Sequence, residues 1–384
     1  MTERPLLGSR TPSTPGHHYR LDMPCTRHPL TTRPRRLMAL ATGVLLTMTL
    51  AACGGADSTS ATDPGTGGAE APASQDPTAQ GASAPTITEL LAGGRVLNLA
   101  HAGGDVVHPH STLYGFAESV DAGADALEMD VQLSADGVVV VIHDLTVDGT
   151  TNGTGEVAGF TVAELQALDA AWQFTGSCAD CASPPSDDAY PWRGMATGAV
   201  APIPGYEASD FRIPTLAEVA TAFPGMPLDI EIKGTPETGA LETAAALAAE
   251  LEELDRTDST VVVSFSSPVV EAFHQLAPDV EVSPGLDELV EWYFNGGQLA
   301  PHYRIIQIPP EYSGVQVLDA AAIAKAADAG VVVWVWPSDR SQENEATYTE
   351  WIELGVDGII SGDPAAMTAA VAASNDGASQ SGGE

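Results

Sequence analysis

The chain has 384 residues, enough for one large domain or two modest ones, and its formal net charge at pH 7 is −37. It has 15 Lys and Arg residues against 52 Asp and Glu, and seven of the basic residues precede Cys53. The remainder of the chain is therefore strongly acidic. Because nucleic-acid binding depends on clustered basic side chains that displace counterions from phosphates, this composition excludes a nucleic-acid partner.

Residues 1–52 are predicted to be an export signal. A basic stretch at residues 33–36 precedes an uncharged apolar run at 37–51, which is too short to span a bilayer comfortably. The run ends in Leu50-Ala51-Ala52-Cys53, which resembles the lipobox of bacterial lipoproteins. We therefore expect export and a lipid anchor on Cys53 that holds the protein at the outer face of the cell membrane. A plain secretory signal or a short membrane anchor is the alternative.

Two further segments have compositions that disfavour a folded core. Residues 53–86 are rich in Gly, Ala, Ser, Thr and Pro without apolar periodicity, and are predicted to form a disordered tether. Residues 374–384 are predicted to be a similar tail, which leaves 87–373 as one folded domain. Within it, Cys178 and Cys181 have no second Cys or His pair to complete a zinc site. A local disulfide is the favoured interpretation for an exported protein.

Strand-like and helical patterns alternate through this domain. The predicted strands are 96–100, 126–133, 138–142, 228–232, 261–265, 280–282, 305–308, 331–336 and 358–360. The predicted helices are 112–122, 161–170, 215–222, 237–254, 268–276, 320–329 and 347–354. Such alternation predicts a parallel α/β sheet, and no glycine-rich nucleotide-binding motif follows the first strand. The number of strands favours an eight-stranded (β/α)₈ TIM barrel.

One long stretch, residues 171–212, interrupts the alternation after the third predicted strand. It contains Pro, Gly, aromatic residues and both cysteines, with little periodicity. Long loops in compact domains are commonly lids or functional insertions. The fold class is therefore predicted to be an α/β barrel with an insertion after the third strand, and we expect the insertion to cover the mouth of the barrel.

The third predicted strand belongs to a hairpin with a concentration of ionisable groups. Alternation places Glu128 and Asp130 on one face of the preceding strand. Asp136-Gly137 predicts a two-residue turn, which sets Asp130 opposite His143. The alternative interpretation is an amphipathic hairpin whose polar face is simply exposed to solvent. However, the apolar run after the turn indicates burial on both faces, and buried carboxylates need a cation or a full set of hydrogen-bond donors.

A second group of charges lies on one face of the strand at 228–232 and just beyond it. Asp229, Glu231 and Lys233 alternate with isoleucines there. Glu231 together with the two hairpin carboxylates forms an all-oxygen set, which suits Ca²⁺ or Mg²⁺ rather than zinc. Lys233 is placed to contact an anionic substrate.

Two histidines accompany these carboxylates. His101 ends the first predicted strand, at the end of a barrel where active sites are built, and His143 ends the third. Taken singly, His101 is more often a structural residue than a catalytic one. Two histidines beside a hard-metal site nevertheless suit acid/base chemistry on a phosphate ester, with one removing a proton and the other protonating the leaving oxygen.

These residues carry a resemblance to the glycerophosphodiester phosphodiesterase family. The matching segments are 100–101, 123–131, 136–137, 143–144, 212–216, 231–233, 336 and 355–360, in the family's order and spacing. The family is a (β/α)₈ barrel that hydrolyses glycerophosphodiesters to glycerol phosphate and an alcohol. The resemblance implies that His101 and His143 are catalytic, that Glu128, Asp130 and Glu231 bind a divalent cation, and that Lys233 and Trp336 bind the substrate.

The chain also departs from the family's pattern. Ala102 and Gly149 stand where the family commonly has arginines, and His110 replaces a carboxylate. A lost bidentate phosphate contact corresponds to roughly 2–3 kcal/mol of binding or transition-state stabilisation. We therefore hypothesise that Arg193 or Arg212 compensates from the insertion.

The leading functional interpretation is a lipid-anchored, metal-dependent phosphodiesterase that acts on small glycerophosphodiesters outside the cell. One alternative is a phospholipase-D-like lyase acting on intact lipids. Another is a non-catalytic lipoprotein that binds metal and phosphodiesters, although the presence of both histidines argues against it. The oligomeric state is not indicated by the sequence.

Overall fold

The computed structural model describes residues 83–175 and 186–381. The predicted signal, the proposed lipidation site Cys53, nearly all of the tether and the pair Cys178 and Cys181 lie outside these residues. Within the described part of the chain, no helix is both long enough and apolar enough to cross a bilayer.

The described residues form eleven strands. They are β1 Leu97–Ala100, β2 Ala126–Leu133, β3 Val139–Val141, β4 Leu228–Ile232, β5 Thr260–Val263, β6 Glu281–Val282, β7 Ile305–Ile308, β8 Glu311–Tyr312, β9 Val315–Gln316, β10 Val332–Val335 and β11 Gly358–Ser361. Eight of them form a parallel sheet in the order β6-β5-β4-β2-β1-β11-β10-β7. This is the order of a (β/α)₈ barrel whose two end strands are β6 and β7. The predicted fold class is therefore confirmed as a nearly closed barrel.

The strand that does not belong to this order is β3, which pairs antiparallel with β2. The two end strands of the sheet, β6 and β7, are linked by a charged contact. Arg304, just before β7, donates from Nε to Glu281 Oε2 of β6 at 2.7 Å. The small hairpin of β8 and β9 lies outside the barrel sheet. The nine predicted strands thus correspond to the eight barrel strands and to β3, which pairs with β2 in the hairpin.

Ten helices accompany the strands. They are α1 Ile87–Ala92, α2 Leu113–Asp121, α3 Val162–Leu165, α4 Leu216–Ala222, α5 Ala240–Glu253, α6 Ser267–Leu276, α7 Leu286–Asn295, α8 Ala320–Ala329, α9 Glu345–Leu354 and α10 Pro364–Ser381. The sequence patterns did not predict α1, α7 and α10. Residues 374–381, predicted to be a tail, belong to α10 and continue the helix begun by the alanine-rich residues 364–373.

The turn between β2 and β3 differs from the prediction by one residue. Ser134 N donates to Val138 O at 3.0 Å, so the loop contains three residues, with Gly137 at φ 82°. The Ser134 hydroxyl accepts from Val138 N at 3.0 Å and donates to Asp136 at 2.7 Å. These side-chain bonds stabilise the three-residue loop, which the Asp-Gly signal alone did not distinguish from a two-residue turn.

The shifted register changes which residues face each other. Ile142 N, rather than His143, lies opposite Asp130 and donates to its carbonyl at 2.9 Å. The predicted pairing of Asp130 with His143 across the hairpin is therefore wrong. His143 follows the end of β3, where Gln132 Nε2 donates to its carbonyl at 3.2 Å. This bond fixes the chain that carries His143 at the mouth of the barrel.

The described part of the insertion packs against α2 through aromatic rings. Tyr114 of α2 lies 4.8 Å from Tyr206, 4.9 Å from Phe211 and 5.9 Å from Trp192, measured between ring centroids. These contacts bury apolar surface outside the barrel sheet. They hold the insertion against α2, which follows the loop carrying His101.

Candidate active site

Neighbouring strands bring the predicted carboxylates side by side inside the barrel. In the parallel register of β2 and β4, Glu128 lies beside Asp229 and Asp130 beside Glu231. Glu128 is 5% exposed and Asp130 is 1% exposed. The alternate residues of both strands belong to the apolar core, so the strand period forces these charges onto the inner face. We refer to Glu128, Asp130 and Glu231 as the carboxylate cluster.

Lys233, just beyond β4, supplies a positive charge to this cluster. Its Nζ lies 3.0 Å from Glu231 Oε1 and 3.4 Å from Asp130 Oδ1. Burial disfavours the ammonium, but the charges of Asp130 and Glu231 outweigh it and raise the pKa of Lys233 above its usual value. Lys233 is thus a cation at neutral pH.

A single lysine does not satisfy the whole carboxylate cluster. Burial and the charge of Asp130 raise the pKa of Glu128 well above its usual value, although Glu128 Oε2 accepts from Ala102 N at 2.7 Å. Asp130 Oδ2 is buried and has no hydrogen-bond partner among the described residues. A hard, oxygen-only donor set with an unsatisfied buried oxygen fits a divalent cation such as Ca²⁺ or Mg²⁺.

Another group of possible metal ligands lies nearby. Ligand atoms of His101, Asp105 and Glu343 are within 4.8 Å of one another. In this group His101 Nδ1 pairs with Asp105 Oδ1, and Glu343 Oε2 accepts from the Tyr348 hydroxyl and from the Gly362 amide. These hydrogen bonds occupy one oxygen of each carboxylate, whereas Asp130 Oδ2 of the carboxylate cluster is buried and has no hydrogen-bond partner among the described residues.

Both predicted histidines have a carboxylate partner at Nδ1. His101 Nδ1 lies 3.1 Å from Asp105 Oδ1, and His143 Nδ1 lies 2.8 Å from Asp144 Oδ1. Burial lowers the pKa of each ring, but the charge of Asp105 at His101 and the hydrogen bond to Asp144 at His143 outweigh it and raise both values. The partners orient the rings and leave Nε2 as the nitrogen for acid/base chemistry.

Asp105 and Asp144 were not predicted as functional residues. Asp144 is adjacent to His143 in the sequence, and Asp105 follows His101 by four residues. Acidic residues this close to a histidine are a signal for an orienting partner. The contact of His101 with Asp105 depends on the tight turn at 101–104, whose backbone conformation the sequence pattern does not specify.

Trp336 lies directly beyond β10, beside an exposed phenylalanine. Its ring centroid is 5.7 Å from that of Phe265, which is 46% exposed, and Lys233 Nζ is 6.0 Å from the same phenylalanine ring. Trp334 is fully buried in the barrel interior. Of the two tryptophans on this strand, Trp336 is therefore the one positioned at the mouth.

A polar cleft of about 260 Å³ opens at the mouth, and we call it the mouth cleft. Its walls include Asp105, His110, Gly149, Thr150 and Arg340, together with residues 173–175 at the start of the insertion. Burial lowers the pKa of His110, which favours its neutral form.

The two arginines hypothesised to compensate for the family's missing ones do not line the mouth cleft. The Arg193 guanidinium lies 3.5 Å from the ring centroid of Tyr190, and its Nε donates to Trp172 O at 2.8 Å. Arg212 pairs with Glu218 at 2.6 Å. Both have packing or pairing roles within the insertion and next to α4.

Comparisons with known proteins agree with this architecture. Residues 101–366 match the glycerophosphoryl diester phosphodiesterase family. A glycerophosphodiester phosphodiesterase from Caldanaerobacter subterraneus subsp. tengcongensis is 29% identical over 277 residues, which cover 70% of this chain and 95% of the relative.

Solved structures show the same likeness. The crystal structure of a glycerophosphodiester phosphodiesterase from Agrobacterium tumefaciens is 26% identical, with a TM-score of 0.53 over 71% of this chain and 99% of that one. A phosphodiesterase from Oleispira antarctica, in complex with the product sn-glycerol-3-phosphate, is 22% identical, with a TM-score of 0.55 over 73% and 99% of the two chains.

The barrel, with buried carboxylates and carboxylate-oriented histidines at its mouth, is that of a phosphoric diester hydrolase. The chain belongs to the glycerophosphoryl diester phosphodiesterase family.

Proposed function

We propose that the protein hydrolyses small glycerophosphodiesters to glycerol 3-phosphate and an alcohol, with a divalent cation and two-histidine acid/base catalysis. The observation that carries this proposal is the pairing of His101 with Asp105 and of His143 with Asp144 beside the carboxylate cluster. The family match and the product named for the Oleispira antarctica phosphodiesterase support the substrate class.

Glu128, Asp130 and Glu231 would hold the cation, which when bound would neutralise charge on the phosphate. Lys233 adds a fixed positive charge beside Asp130 and Glu231, where it attracts the anionic diester. Trp336 and its neighbour Phe265 form an apolar wall at the mouth that would contact the glycerol moiety. These residues bind and orient the diester.

The two histidines act as the general base and the general acid. One imidazole removes the proton from the attacking hydroxyl, which belongs either to water or to the neighbouring hydroxyl of the glycerol. The oxygen attacks phosphorus, the bond from phosphorus to the alcohol oxygen breaks, and the other imidazolium protonates that oxygen. If the glycerol hydroxyl attacks, a cyclic phosphate forms and water then opens it to the same product.

Export and lipid anchoring are part of the proposal, supported by the signal-like segment that ends in Cys53. Mass spectrometry of the mature protein tests this: a diacylglyceryl modification on an N-terminal Cys53 is expected, and an unmodified N-terminus elsewhere would contradict it. The same measurement, made before and after reduction, tests the disulfide proposed between Cys178 and Cys181 through a mass change of 2 Da, one hydrogen per thiol.

Release of glycerol 3-phosphate from glycerophosphocholine, glycerophosphoethanolamine and glycerophosphoglycerol tests the activity. We expect turnover with Ca²⁺ or Mg²⁺, loss of turnover with a chelator, and recovery on adding back the cation. Asp130→Asn should abolish the cation-induced rise in Tm as well as the activity, which separates loss of cation binding from loss of the fold. Turnover that survives chelation would contradict metal dependence, and products other than glycerol 3-phosphate would favour the lyase alternative.

A further inference from the structure

The mouth cleft contains an arginine that the proposed mechanism does not use. Arg340 lies in the turn that follows β10, and its Nη2 donates to the carbonyls of Asp105 at 3.0 Å and Val106 at 2.9 Å. Both acceptors belong to the segment that orients His101 through Asp105. Two hydrogen bonds from one nitrogen hold the guanidinium at a fixed place on the wall of the cleft, although the residue is exposed.

The rest of this guanidinium is available to a ligand. Among the described residues, Arg340 donates hydrogen bonds only through Nη2, which leaves the Nε and Nη1 hydrogens for another acceptor. Of the described residues, it is also the only Lys or Arg that lines the cleft. A guanidinium positioned before the ligand arrives loses less conformational entropy on binding than a mobile side chain does.

The mouth cleft adjoins the proposed catalytic groups. Asp105 is both a wall of the cleft and the partner of His101 at 3.1 Å. His110, on the same wall, is close enough to His143 and Asp130 for their charges to affect its pKa. A diester whose phosphate lies beside both histidines therefore has this cleft next to it, with room for one of its two organic groups.

The charged side chains on the cleft wall are Asp105 and Arg340. The Asp105 carboxylate contacts His101 at 3.1 Å, whereas Arg340 bonds only to backbone carbonyls among the described residues and is therefore the group available to pair with an anionic part of a ligand. Gly149 also lines the cleft, and the Asp144 carboxylate packs against it where a Cβ would otherwise lie. The aromatic wall of Trp336 and Phe265 is a separate feature built beyond β10 and β5.

We infer that the mouth cleft binds the alcohol part of the diester and that Arg340 makes the enzyme prefer an alcohol carrying a phosphate or carboxylate group. This inference rests on the proposed function, since it assigns the leaving group of that reaction. Arg340 is a specificity-determining residue in this assignment, and its role is distinct from that of the histidines, which act on every diester.

The test compares kcat/KM for three diesters whose alcohol parts differ in charge. These are glycerophosphoglycerol phosphate, with an anionic headgroup, glycerophosphoglycerol, with a neutral one, and glycerophosphocholine, with a cationic one. We expect the wild type to favour the anionic headgroup over choline by about tenfold, the size of effect of one charge-assisted hydrogen bond. Arg340→Gln should remove most of that preference, and Arg340→Lys should retain part of it.

A matched control is Arg95→Gln. Arg95 is likewise an exposed arginine held by hydrogen bonds, here to Asp125 beside the start of β1, at the other end of the barrel. This variant should leave the order of the three substrates unchanged. An equal loss of kcat/KM on all three substrates in Arg340→Gln would overturn the inference, and would mean that Arg340 only stabilises the segment that contains His101. A wild type without a preference for headgroup charge would also overturn it.

Failure of the proposed function has a different signature. If the wild type hydrolyses none of the diesters, the activity is wrong, and calorimetric binding of glycerophosphoglycerol phosphate then tests the cleft directly. Binding by the wild type that weakens about tenfold in Arg340→Gln would support the cleft assignment. Equal binding by both proteins, or binding by neither, would reject it.

Discussion

The two ends of the barrel are built from opposite kinds of residues. At the amino end, α1 places Ile87 and Leu90 against Leu97, Val261 and Ile305, so the inside of the barrel is covered by apolar side chains. Charged pairs at this end lie on the rim, as between Arg304 and Glu281. At the carboxyl end, by contrast, Glu128 and Asp130 of the carboxylate cluster are buried within the barrel itself.

The difference shows that the functional residues at the carboxyl end lower the free energy of unfolding, whereas the apolar residues at the amino end raise it. Burial of apolar surface at the amino end stabilises the fold by roughly 25 cal/mol per Å². Buried carboxylates at the carboxyl end carry a desolvation penalty that Lys233 offsets only in part, which is visible in the raised pKa of Glu128. Substitutions at the two ends should therefore separate stability from activity.

The largest expected effect is loss of activity at the carboxyl end. His143→Ala and His101→Ala should each lower kcat by about 100- to 10,000-fold, because a positioned acid or base contributes that much to proton transfer. Thermal unfolding should change little, since both rings are partly exposed. The matched control is His274→Ala, which removes a ring stacked 4.0 Å from His302 outside the site. A His143→Ala enzyme with wild-type kcat would remove this histidine from the mechanism.

The site at the carboxyl end also shows which features could be predicted from the sequence and which could not. The inner-face positions of Glu128, Asp130 and Glu231 follow from strand alternation, because a period of two allows no other arrangement once the neighbouring residues are buried. The partner of His143 was misassigned, because one residue in the turn shifts the hairpin register. Arg340 and Glu343 were not predicted, since they reach the site from a turn more than 200 residues away from His101 in the sequence.

The second prediction concerns stability at the amino end. Leu90→Ala should reduce the free energy of unfolding by about 2–3 kcal/mol, because it removes buried methyl groups from the cover of the barrel. Urea unfolding measures this, and kcat should remain within twofold of the wild type. Leu276→Ala is the matched control, because that leucine is 56% exposed. A comparable loss of stability in both variants would mean that α1 contributes no more than surface packing.

The third prediction uses Glu343, which lies next to the His101–Asp105 pair. Burial and the charge of Asp105 raise the pKa of Glu343 to about 7, although the hydrogen bond from Tyr348 opposes the shift. Because the folded protein binds this proton more tightly than the unfolded chain, the stabilisation is complete below about pH 4.5 and is lost as the pH rises through 7. Glu343→Gln retains an oxygen that can accept from Tyr348 and Gly362 N.

Urea unfolding at pH 5 and pH 8 checks this prediction. Between these values, the wild type should lose about 1–2 kcal/mol more than Glu343→Gln, since the variant cannot ionise beside Asp105. Glu345→Gln, at an exposed position on α9, serves as the control and should keep the wild-type pH dependence. Parallel pH profiles for the wild type and Glu343→Gln would show that Glu343 has the same pKa in the folded and unfolded states.

The smallest expected effect comes from the charge of the whole molecule. A formal charge of −37 repels an anionic diester, and added salt shortens the range of that repulsion from about 30 Å at 0.01 M to about 8 Å at 0.15 M. At fixed saturating divalent cation, kcat/KM for glycerophosphoglycerol should therefore rise by about two- to fivefold between these salt concentrations, whereas kcat stays constant. Glycerophosphocholine, which has no net charge, is the control and should respond less. A rate that falls with salt would mean that Lys233 and Arg340 dominate the potential at the carboxyl end, so that the local charges of the site, and not the acidic surface, govern substrate capture.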